Sequence, residues 1–499
     1  MANEIELKLA FPASAHERVL AHPLIAAAPR LEAPALLINT YFDTPDFDLR
    51  RQRMAVRTRR VGERWLQTIK CASASVGGLS ARPEWEHDYV DERFDFSHVD
   101  DPAARQLLEH HAARIAPVFT TDFQRDTRVA TPRDGVRILI MIDQGLIEAN
   151  GRSQVISEVE LELAEGSPLD LFEFALQLAS ALPLLPEDAS KAQRGFELFE
   201  YRLPAPQRSG QARVDPQAST IAAFKTLAYD CLNAWQANIT HARTESGSGF
   251  IHQARVALRR LRSLVRAFAP ALPAEFVDHW TPLLRELAGR LGAARDLDVL
   301  RTAIVAPLAR TGEVFDQEVA SRLLNRANQE ADVIHAAIRA DLSEAGTGVP
   351  MLSLARALYL LADTAPVDLP TLAREAARHT RKVVHKRLAA AHAGADSPDT
   401  PLLHPLRIAC KRLRYTLDAL APVLGDKAAQ RHARQLAKAQ RELGYLNDLR
   451  TAQTVLAEWA QDDIALFEAR AYLMGWHAER AARARRKVLT RLAAVVGQA

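Results

Sequence analysis

The stretch Glu4-Ile5-Glu6-Leu7-Lys8 decides how the first part of this chain folds. Successive side chains of a β-strand point to opposite faces, so the two glutamates and the lysine share one face and the two apolar residues share the other. A mirror form of the pattern recurs at Glu158-Val159-Glu160-Leu161-Glu162-Leu163. One such run is typical of an ordinary strand with a wet polar face. Two runs with alternating cations between them indicate clustered carboxylates beside separated cations, as a divalent metal and a polyanion together require.

The length of the chain limits the number of domains, and its net charge limits the kind of anion-binding site it can have. With 499 residues, 48% of them hydrophobic, the chain is long enough for roughly two to four domains with packed cores. Its 64 basic and 61 acidic residues leave a net charge of only +3, so a site for anions must come from local arrangement. Three widely spaced cysteines without metal-ligand spacing are interpreted as reduced core thiols.

The start of the chain and its apolar runs bear on its location. The chain begins with a charged strand, which predicts that it has no signal peptide. No apolar run approaches the roughly 18 residues that a membrane-spanning helix needs, so we expect no membrane partner. The expected compartment is the reducing cytoplasm.

Short β-like runs separated by turn residues fill the chain before residue 203, and three helical stretches interrupt them. Strands at this spacing predict a sandwich or a barrel. A polar linker rich in Pro and Gly follows at 204–217, and the chain beyond it has helical periodicity. The predicted strands are 35–42, 54–60, 65–70, 83–90, 123–129, 136–143 and 154–163, and the predicted helices are 15–21, 101–114 and 168–181.

A series of charged motifs runs through residues 1–203 in chain order: Glu4-x-Glu6-x-Lys8, Tyr41-Phe42-Asp43-Thr44, Val56-Arg57-Thr58-Arg59, Gln67-Thr68-Ile69-Lys70, Arg82-Pro83-Glu84-Trp85-Glu86, Asp143-Gln144-Gly145, Glu158-Val159-Glu160-Leu161-Glu162 and Ser190-Lys191-x-x-Arg194-Gly195. This segment resembles the CYTH family, the triphosphate tunnel proteins. The resemblance implies a closed antiparallel β-barrel, eight-stranded in the family, whose charged lumen holds a triphosphate with Mg²⁺ or Mn²⁺. The whole chain is then an α+β protein of two domains, with the barrel at 1–203 and an all-α domain at 218–499.

The chemistry of each residue type predicts which ligand it binds inside the lumen. Carboxylate oxygens are the hard ligands that Mg²⁺ and Mn²⁺ prefer, arginines bind phosphate oxygens in pairs, and lysines act as point charges. The roles of Glu84, Glu86, Asp143 and Glu162 stay open, because each can simply neutralise a neighbouring arginine. The expected metal ligands are Glu4, Glu6, Glu158 and Glu160, the expected phosphate ligands are Lys8, Arg57, Arg59, Lys70, Arg82, Arg125, Lys191 and Arg194, and the expected catalytic residues are Glu4, Glu6 and Lys8.

The helical half contains an internal repeat. The stretch from His252 to Arg262 aligns with the stretch from His404 to Arg414, at an offset of 152 residues. The same offset relates Leu291-Gly-x-x-Arg-Asp-Leu297 to Leu443-Gly-x-x-Asn-Asp-Leu449. Two homologous helical bundles are therefore predicted at about 219–341 and 371–493, with a helical insertion between them. The glycines and aspartates of the second block are interpreted as helix-ending and helix-capping residues: Gly292, Gly444, Asp296 and Asp448.

Each repeat has a basic stripe that lies about 100° around the helix from an apolar stripe, so the cations should border a seam between helices. This half resembles the CHAD family, on the two His-x-x-Arg blocks and the two Gly-x-x-Arg/Asn-Asp blocks. The resemblance implies binding of inorganic polyphosphate along a basic surface. The second repeat departs from the first by Asn447 in place of Arg295. The expected polyphosphate ligands are His252, Arg255, Arg259, Arg260, Arg262, His404, Arg407, Lys411, Arg412 and Arg414.

These features together predict a cytoplasmic, Mg²⁺- or Mn²⁺-dependent hydrolase of inorganic triphosphate, joined to a helical domain that binds inorganic polyphosphate. The same barrel family also supports adenylate cyclase and thiamine triphosphatase activities. A different class of function is a pure binding module, in which both halves hold polyphosphate and turnover is incidental. A nucleic-acid partner is disfavoured, because the basic helices lack interleaved aromatic residues for base stacking.

Overall fold

The computed structural model of the protein describes residues 3–71, 75–244, 248–393, 402–425, 427–461 and 463–496. The chain forms two compact units. The first contains Met1–Ala205 together with Asp341–Tyr359, and the second contains Pro206–Ala340 and Leu360–Ala499. Among the described residues, no helix combines the length and the apolar character needed to cross a membrane.

Among the described residues, the first unit contains nine strands. Several of them alternate apolar and charged residues, so one face packs on a core and the other carries charge. The predicted strands are present, but their ends differ from the prediction: the strand predicted at 123–129 begins at Ala116, and the strand predicted at 83–90 spans Leu79–Asp88. The strands are β1 Asn3–Ala10, β2 Ala35–Asp43, β3 Met54–Val61, β4 Arg64–Cys71, β5 Leu79–Asp88, β6 Ala116–Ala130, β7 Arg137–Ala149, β8 Arg152–Glu165 and β9 Leu185–Pro186.

The strands close into a barrel of eight, as the sequence predicted. Their order is β5-β4-β3-β2-β6-β7-β8-β1, and β1 also pairs with β5, which completes the ring. All these pairings are antiparallel, and the short β9 pairs with the end of β1. The ring places Glu4 opposite Arg82 on one side of β1 and Lys8 opposite Glu160 on the other. Closure thus places the Glu4-x-Glu6-x-Lys8 motif of β1 between the charged residues of β5 and those of β8.

The helices of the first unit cover the outside of the barrel and its ends. The long predicted helix at 168–181 is confirmed, and a Ser167–Asp170 capping box and a proline in the first turn explain its start. The helices are α1 His16–Leu20, α2 Pro23–Ala26, α3 Asp48–Arg51, α4 Pro102–His111, α5 Pro168–Ala181 and α6 Lys191–Phe199, with 3₁₀ turns at Ala13–Ala15 and Ala112–Arg114.

The second unit consists of helices. A π-helical segment, Leu300–Val305, separates α10 from α11, and a 3₁₀ turn at Ala269–Ala271 precedes α9. The helices are α7 Thr220–Thr244, α8 Ser248–Ala267, α9 Ala274–Arg290, α10 Gly292–Val299, α11 Ala306–Ala309, α12 Val314–Leu342, α14 Leu369–Ala393, α15 Leu403–Leu424, α16 Lys427–Trp459 and α17 Ile464–Val496, and the helix α13 Val349–Leu360 lies between α12 and α14 in the chain.

Helix α13 changes the predicted domain limits. The sequence assigned all of 218–499 to one helical domain, but Asp341–Tyr359 groups with the first unit. Within that unit Arg356 pairs with Glu173 at 3.0 Å. The backbone of Gly348 also passes so close to Leu184 that a Cβ there would lie 2.1 Å from the Leu184 carbonyl oxygen. The insertion between the repeats is therefore a part of the barrel unit, which sequence periodicity could not reveal.

The apolar stripes of the two repeat helices are buried, as predicted. Leu258 and Leu261 on α8 are 1% exposed, and Cys410 and Leu413 on α15 are 0% and 2% exposed. The capping interpretation of the second motif is wrong for three residues. Asp296 lies inside α10, and Gly444 and Asp448 lie inside the uninterrupted α16, while only Gly292 stands at a helix boundary.

Candidate active site and cationic helix surface

A cavity of about 790 Å³ runs into the barrel, and residues from all eight barrel strands line it. The lining is charged because the inward-facing position recurs every second residue on each strand. Of the eight predicted phosphate ligands, only Arg194 is absent from the lining, and its guanidinium instead binds Glu158. The lining cations are Lys8, Arg50, Arg53, Arg57, Arg59, Lys70, Arg82, Arg125 and Lys191, and the lining carboxylates are Glu4, Glu6, Glu84, Glu86, Glu160 and Glu162.

Three buried carboxylates form one group beside the cavity. Oxygens of Asp143, Glu158 and Glu160 lie within 4.8 Å of one another. The Lys191 ammonium sits among them, 2.6 Å from Asp143 Oδ2 and 3.0 Å from Glu160 Oε1, with Glu158 as its third partner. Arg125 adds paired hydrogen bonds to Asp143, at 2.7 and 2.6 Å. We call Asp143, Glu158 and Glu160 the carboxylate cluster.

Backbone register explains how the carboxylate cluster forms. Asp143 on β7 lies opposite Glu158 on β8 and opposite Arg125 on β6. Two residues further on, Gly145 lets β7 run tightly against β6, because a Cβ there would lie 2.1 Å from the Asp122 carbonyl oxygen. The cluster is thus fixed by the pairing of three long strands.

The other two predicted metal ligands lie in a second group. Glu4 accepts hydrogen bonds from Lys70 at 2.8 Å and from Arg82 at 3.2 Å. Glu6 accepts one from Arg82 at 2.5 Å. The four expected metal ligands therefore divide into two pairs, and the pair on β8 is joined by Asp143.

Cations and one phenol line the wall formed by β2 and β3, and Lys8 adds a cation from β1. Arg57 donates to the Tyr41 hydroxyl at 3.4 Å, and Arg59 donates to Asn39 at 2.9 Å. Lys8, only 4% exposed, donates to the backbone carbonyl of Ala189 at 3.3 Å. These side chains are held by partners in the barrel wall and are oriented before any anion arrives.

Electrostatics in the cavity shift the pKa values of its acidic groups in both directions. Burial opposes ionisation, but Lys191 and Arg125 hold the pKa of Glu160 well below its usual value. Burial also opposes ionisation of the Tyr41 hydroxyl, yet the charge of Arg57 lowers the pKa of that phenol. Glu162 behaves in the opposite way, because burial and the neighbouring Glu4 carboxylate raise its pKa to about 7.

The carboxylate cluster fits a divalent metal. Lys191, Arg125 and Arg194 together balance the three buried carboxylates in the protein alone, so an ion bound there would take the place of the Lys191 ammonium. Hard oxygen ligands of this kind suit Mg²⁺ and Mn²⁺, which keep several waters and add phosphate oxygens. Asp143, Glu158 and Glu160 are therefore the residues that would hold such an ion.

Sequence reasoning missed several members of this site. The Asp143-Gln144-Gly145 motif does not distinguish a metal ligand from a residue that neutralises an arginine, because pairing across strands is not visible along the chain. Arg50 and Arg53 line the cavity from α3 and the turn after it, where no strand alternation marks them. Of the missed residues only Asp143 gave a signal, as an acid inside a predicted strand.

In the second unit, helices α8 and α15 bring the two basic stripes together. The charges that act on Lys411 come from Arg259 and Arg255 of the first repeat as well as from Arg407 and Asp448 of its own repeat. Burial and these cations lower the pKa of Lys411 to about 6. We call this group the cationic surface: His252, Arg255, Arg259, Arg295, Arg407 and Lys411, with Asp296 and Asp448 beside them.

The remaining predicted polyphosphate ligands lie in three other settings. Arg260 and Arg414 both pair with Asp418, at 3.4 and 3.7 Å, and both guanidinium groups lie near the ring of Tyr415. Arg412 and Arg262 are close enough for each charge to influence the other. The His404 Nδ1 atom lies 2.9 Å from Asn447 Oδ1. Arg260 and Arg414 thus have ion-pair partners inside the unit.

Two domain families match the chain. The CYTH domain family matches residues 2–196, and the CHAD domain family matches residues 226–457. The chain carries a CYTH domain followed by a CHAD domain. Both family resemblances drawn from the sequence motifs are confirmed, so the closed barrel is the CYTH domain and the helical repeats form the CHAD domain.

Known proteins resemble both domains. An inorganic triphosphatase of Haemophilus influenzae is 29% identical over 282 residues, which are 54% of this chain and 70% of the relative. The crystal structure of the CHAD domain from the plant Ricinus communis is 29% identical, with 59% of this chain and 96% of that chain covered and a TM-score of 0.49. A putative adenylyl cyclase from Hippeastrum with a dominant triphosphatase activity is 18% identical, with 41% and 98% covered and a TM-score of 0.29.

Proposed function

We propose that the CYTH barrel hydrolyses inorganic triphosphate with the help of Mg²⁺ or Mn²⁺, and that the CHAD domain binds inorganic polyphosphate. The carrying observation is that one cavity combines cations on most of its strands with Glu160, which belongs to a cluster of three buried carboxylates beside the cavity. A triphosphate needs the cations, and a divalent ion needs the carboxylates. The relative named inorganic triphosphatase supports hydrolysis of a triphosphate in general.

The carboxylates and the cations of the cavity have different roles in the proposed reaction. Water attacks the terminal phosphorus, the bond from that phosphorus to the bridging oxygen breaks, and orthophosphate and pyrophosphate leave. A metal ion held by the carboxylate cluster would polarise the phosphoryl oxygens. Lys8, Arg57 and Arg59 are positioned to stabilise the charge that builds up on the equatorial and leaving oxygens. Glu4 and Glu6 remain proposed metal ligands, and in the protein alone they orient Lys70 and Arg82.

The aromatic rings of the cavity favour an inorganic substrate over a nucleotide. Arg125 and Lys191 both lie over the Phe123 ring, the lysine Nζ at 4.9 Å from its centroid, and the Arg50 guanidinium lies 4.9 Å from that of Phe196. Tyr41 stacks on Phe119 with the ring centroids 4.6 Å apart. Each of these lining rings thus already contacts a cation or another ring, which favours a substrate without an aromatic ring to stack.

The proposal for the CHAD domain rests on the cationic surface. Six cationic or potentially cationic side chains from both repeats lie close enough there to influence one another, with Asp296 and Asp448 beside them. A long polyanion would relieve this repulsion and release counterions, so its affinity should fall steeply with salt.

A substrate panel tests the proposal. Phosphate release is measured from inorganic triphosphate, thiamine triphosphate, ATP and long-chain polyphosphate, with and without Mg²⁺ or Mn²⁺, beside an assay for cyclic AMP. We expect metal-dependent release chiefly from inorganic triphosphate. Cyclic AMP formation, or preferred cleavage of thiamine triphosphate, would favour one of the alternative activities, and no release from any substrate would favour a binding module.

A further inference from the structure

The outer wall of the barrel carries a second group of ligating side chains. On β5, Arg82, Glu84 and Glu86 point into the cavity, so the residues between them point outward. Trp85 accordingly packs in an apolar cluster outside the lumen with residues of the loop that follows β5. His87, two residues on from Trp85, shares that outer face. Whatever binds at His87 is therefore separated from the triphosphate cavity by the strand.

Three side chains converge on this outer face. One ligand atom from each of His87, Asp95 and His98 lies within 4.8 Å of the others. The centroids of the two imidazole rings are 4.2 Å apart, and the planes are tilted by 49°. His98 Nε2 lies 3.5 Å from Asp95 Oδ2. Two imidazole nitrogens and one carboxylate oxygen thus surround a single point.

The ring nitrogens of His87 are available to a ligand. Both are shielded from solvent, and neither meets hydrogen-bond geometry with a partner among the described residues, although the Asp95 backbone lies nearby. An imidazole nitrogen in this position is a common ligand of transition-metal ions.

The loop that supplies the other two side chains is anchored. Gln67, fully buried on β4, exchanges two hydrogen bonds with the Asp95 backbone. Asp95 Oδ1 accepts a hydrogen bond from the Ser97 amide at 2.9 Å, which leaves Oδ2 directed toward His98. Trp85 Nε1 holds Asp100 at 2.7 Å. The three ligands are therefore held in place by the fold, which lowers the ordering cost of binding an ion.

We propose that His87, Asp95 and His98 form a site for a borderline divalent transition-metal ion of the Zn²⁺ type. Imidazole nitrogen with one carboxylate suits Zn²⁺, Co²⁺ and Ni²⁺, whereas Mg²⁺ prefers an all-oxygen shell. The His98 and Asp95 side chains are 60% and 55% exposed, so the ion can enter from solvent and complete its coordination with water. An ion bound there ties the loop to β5 and stabilises the folded state by mass action.

The test uses the full chain in excess Mg²⁺, which would compete with Zn²⁺ for the lumen carboxylates. Zn²⁺ binding is measured by calorimetry, Co²⁺ binding by its visible absorption, and stability by the melting temperature with and without Zn²⁺. The variants are His98→Ala and Asp95→Asn, where the amide oxygen can still accept from the Ser97 amide. His110→Ala, which removes an exposed imidazole from α4, is the matched control.

We expect one Zn²⁺ to bind and to raise the melting temperature in the wild type and in His110→Ala. Outer-shell changes at metal sites cost about 10–100-fold in affinity, so loss of a ligand in His98→Ala or Asp95→Asn should cost at least about tenfold. The idea is wrong if the wild type binds no Zn²⁺ in excess Mg²⁺, or if both variants bind it as tightly as the wild type. Triphosphate hydrolysis is not part of either readout, so this inference stands or falls independently of the proposed activity.

Discussion

At the level of single residues, the arrangement around Lys191 shows how the barrel tolerates buried charge. Three carboxylates without a counterion would be expensive to bury, but Lys191, Arg125 and Arg194 each contact at least one of them. A divalent metal ion would offset only a part of the negative charge of a bound triphosphate, so lumen cations would have to exchange carboxylate partners for phosphate oxygens to balance the rest.

The carboxylate cluster gives the first prediction. Asp143→Asn and Glu160→Gln should each lower metal-dependent turnover by roughly a hundredfold, as loss of one preorganised electrostatic group commonly does. Turnover is measured across a range of Mg²⁺ and Mn²⁺ concentrations. Glu165→Gln, the same change at an exposed position of β8, serves as the control. Unchanged rates at limiting metal in both cluster variants would remove the cluster from the proposed metal site.

Glu4→Gln or Glu6→Gln tests the other pair of proposed ligands. We expect loss of metal-dependent turnover with the fold intact, because the amide keeps the volume but not the charge. If either variant keeps the wild-type rate at limiting metal, its residue acts only by orienting Lys70 or Arg82. The melting temperature, measured alongside, separates loss of activity from loss of structure.

Lys411 gives a prediction on pH. Its pKa of about 6 means that the side chain is mostly neutral at pH 8 when no anion is bound. A bound polyanion favours the ammonium form, so binding takes up a proton and affinity should fall as pH rises above about 6. Polyphosphate affinity is measured from pH 5.5 to 8.5 at constant ionic strength. Lys411→Arg, which stays charged throughout, should flatten the profile, and an equal slope in both proteins would contradict this role.

At the level of elements, the packing of α8 against α15 decides whether the two basic stripes act as one surface. Each stripe alone resembles a solvated helix face. Their mutual effect on Lys411 places cations of both repeats around one region. A polyphosphate chain can therefore engage both repeats, and the second contact is made at a high effective concentration.

A double charge reversal tests that continuity. Arg259→Glu together with Lys411→Glu should weaken polyphosphate binding far more than either change alone, because a single variant keeps the other repeat's contact. The same double reversal at the exposed Arg378 and Lys386 of α14 provides the control. Retention on polyphosphate is measured as a function of salt. A salt-insensitive affinity, or no effect of the double variant, would show that the stripes are only solvated faces.

At the level of the whole molecule, the chain returns to the first unit after most of the first helical repeat. Phe172 and Leu184 are 1% and 0% exposed, and the segment 341–359 supplies some of their neighbours: the Phe172 and Tyr359 rings lie 6.2 Å apart. Gly346 N also donates to the Ala179 carbonyl at 2.8 Å. A cut at the predicted linker therefore removes a part of the barrel unit.

A fragment of residues 1–205 should consequently melt at a lower temperature than a fusion in which 341–359 follows residue 205 through a flexible linker. The reason is that the apolar face of α5 loses cover when α13 is missing, which also exposes surface to a hydrophobic dye. Thermal melting and dye binding of the two proteins measure the effect. Equal melting temperatures would show that α13 contributes little to this unit.

The sequence by itself determined the strand-rich and helical halves, the internal repeat and the faces that charged residues share, whereas the closed barrel and its charged lumen were implied by the resemblance to the CYTH family. The shared faces follow from periodicity: an alternation of two places Glu4, Glu6 and Lys8 on one face of any strand, and a spacing of three and four places the basic residues of α8 in one stripe. Such patterns depend only on the local geometry of a strand or helix, so they hold for any tertiary packing of the rest of the chain.

Only the tertiary structure decided which of these faces meet. Asp143 joins Glu158 and Glu160 because β7 pairs with β8 in one register, and a shift of one residue would turn these side chains to the other face. The grouping of α13 with the barrel, the continuity of α16 through Gly444 and the approach of His87 to the loop at Asp95 are likewise long-range contacts. Packing free energy between distant segments sets them, and no local pattern in the chain records it.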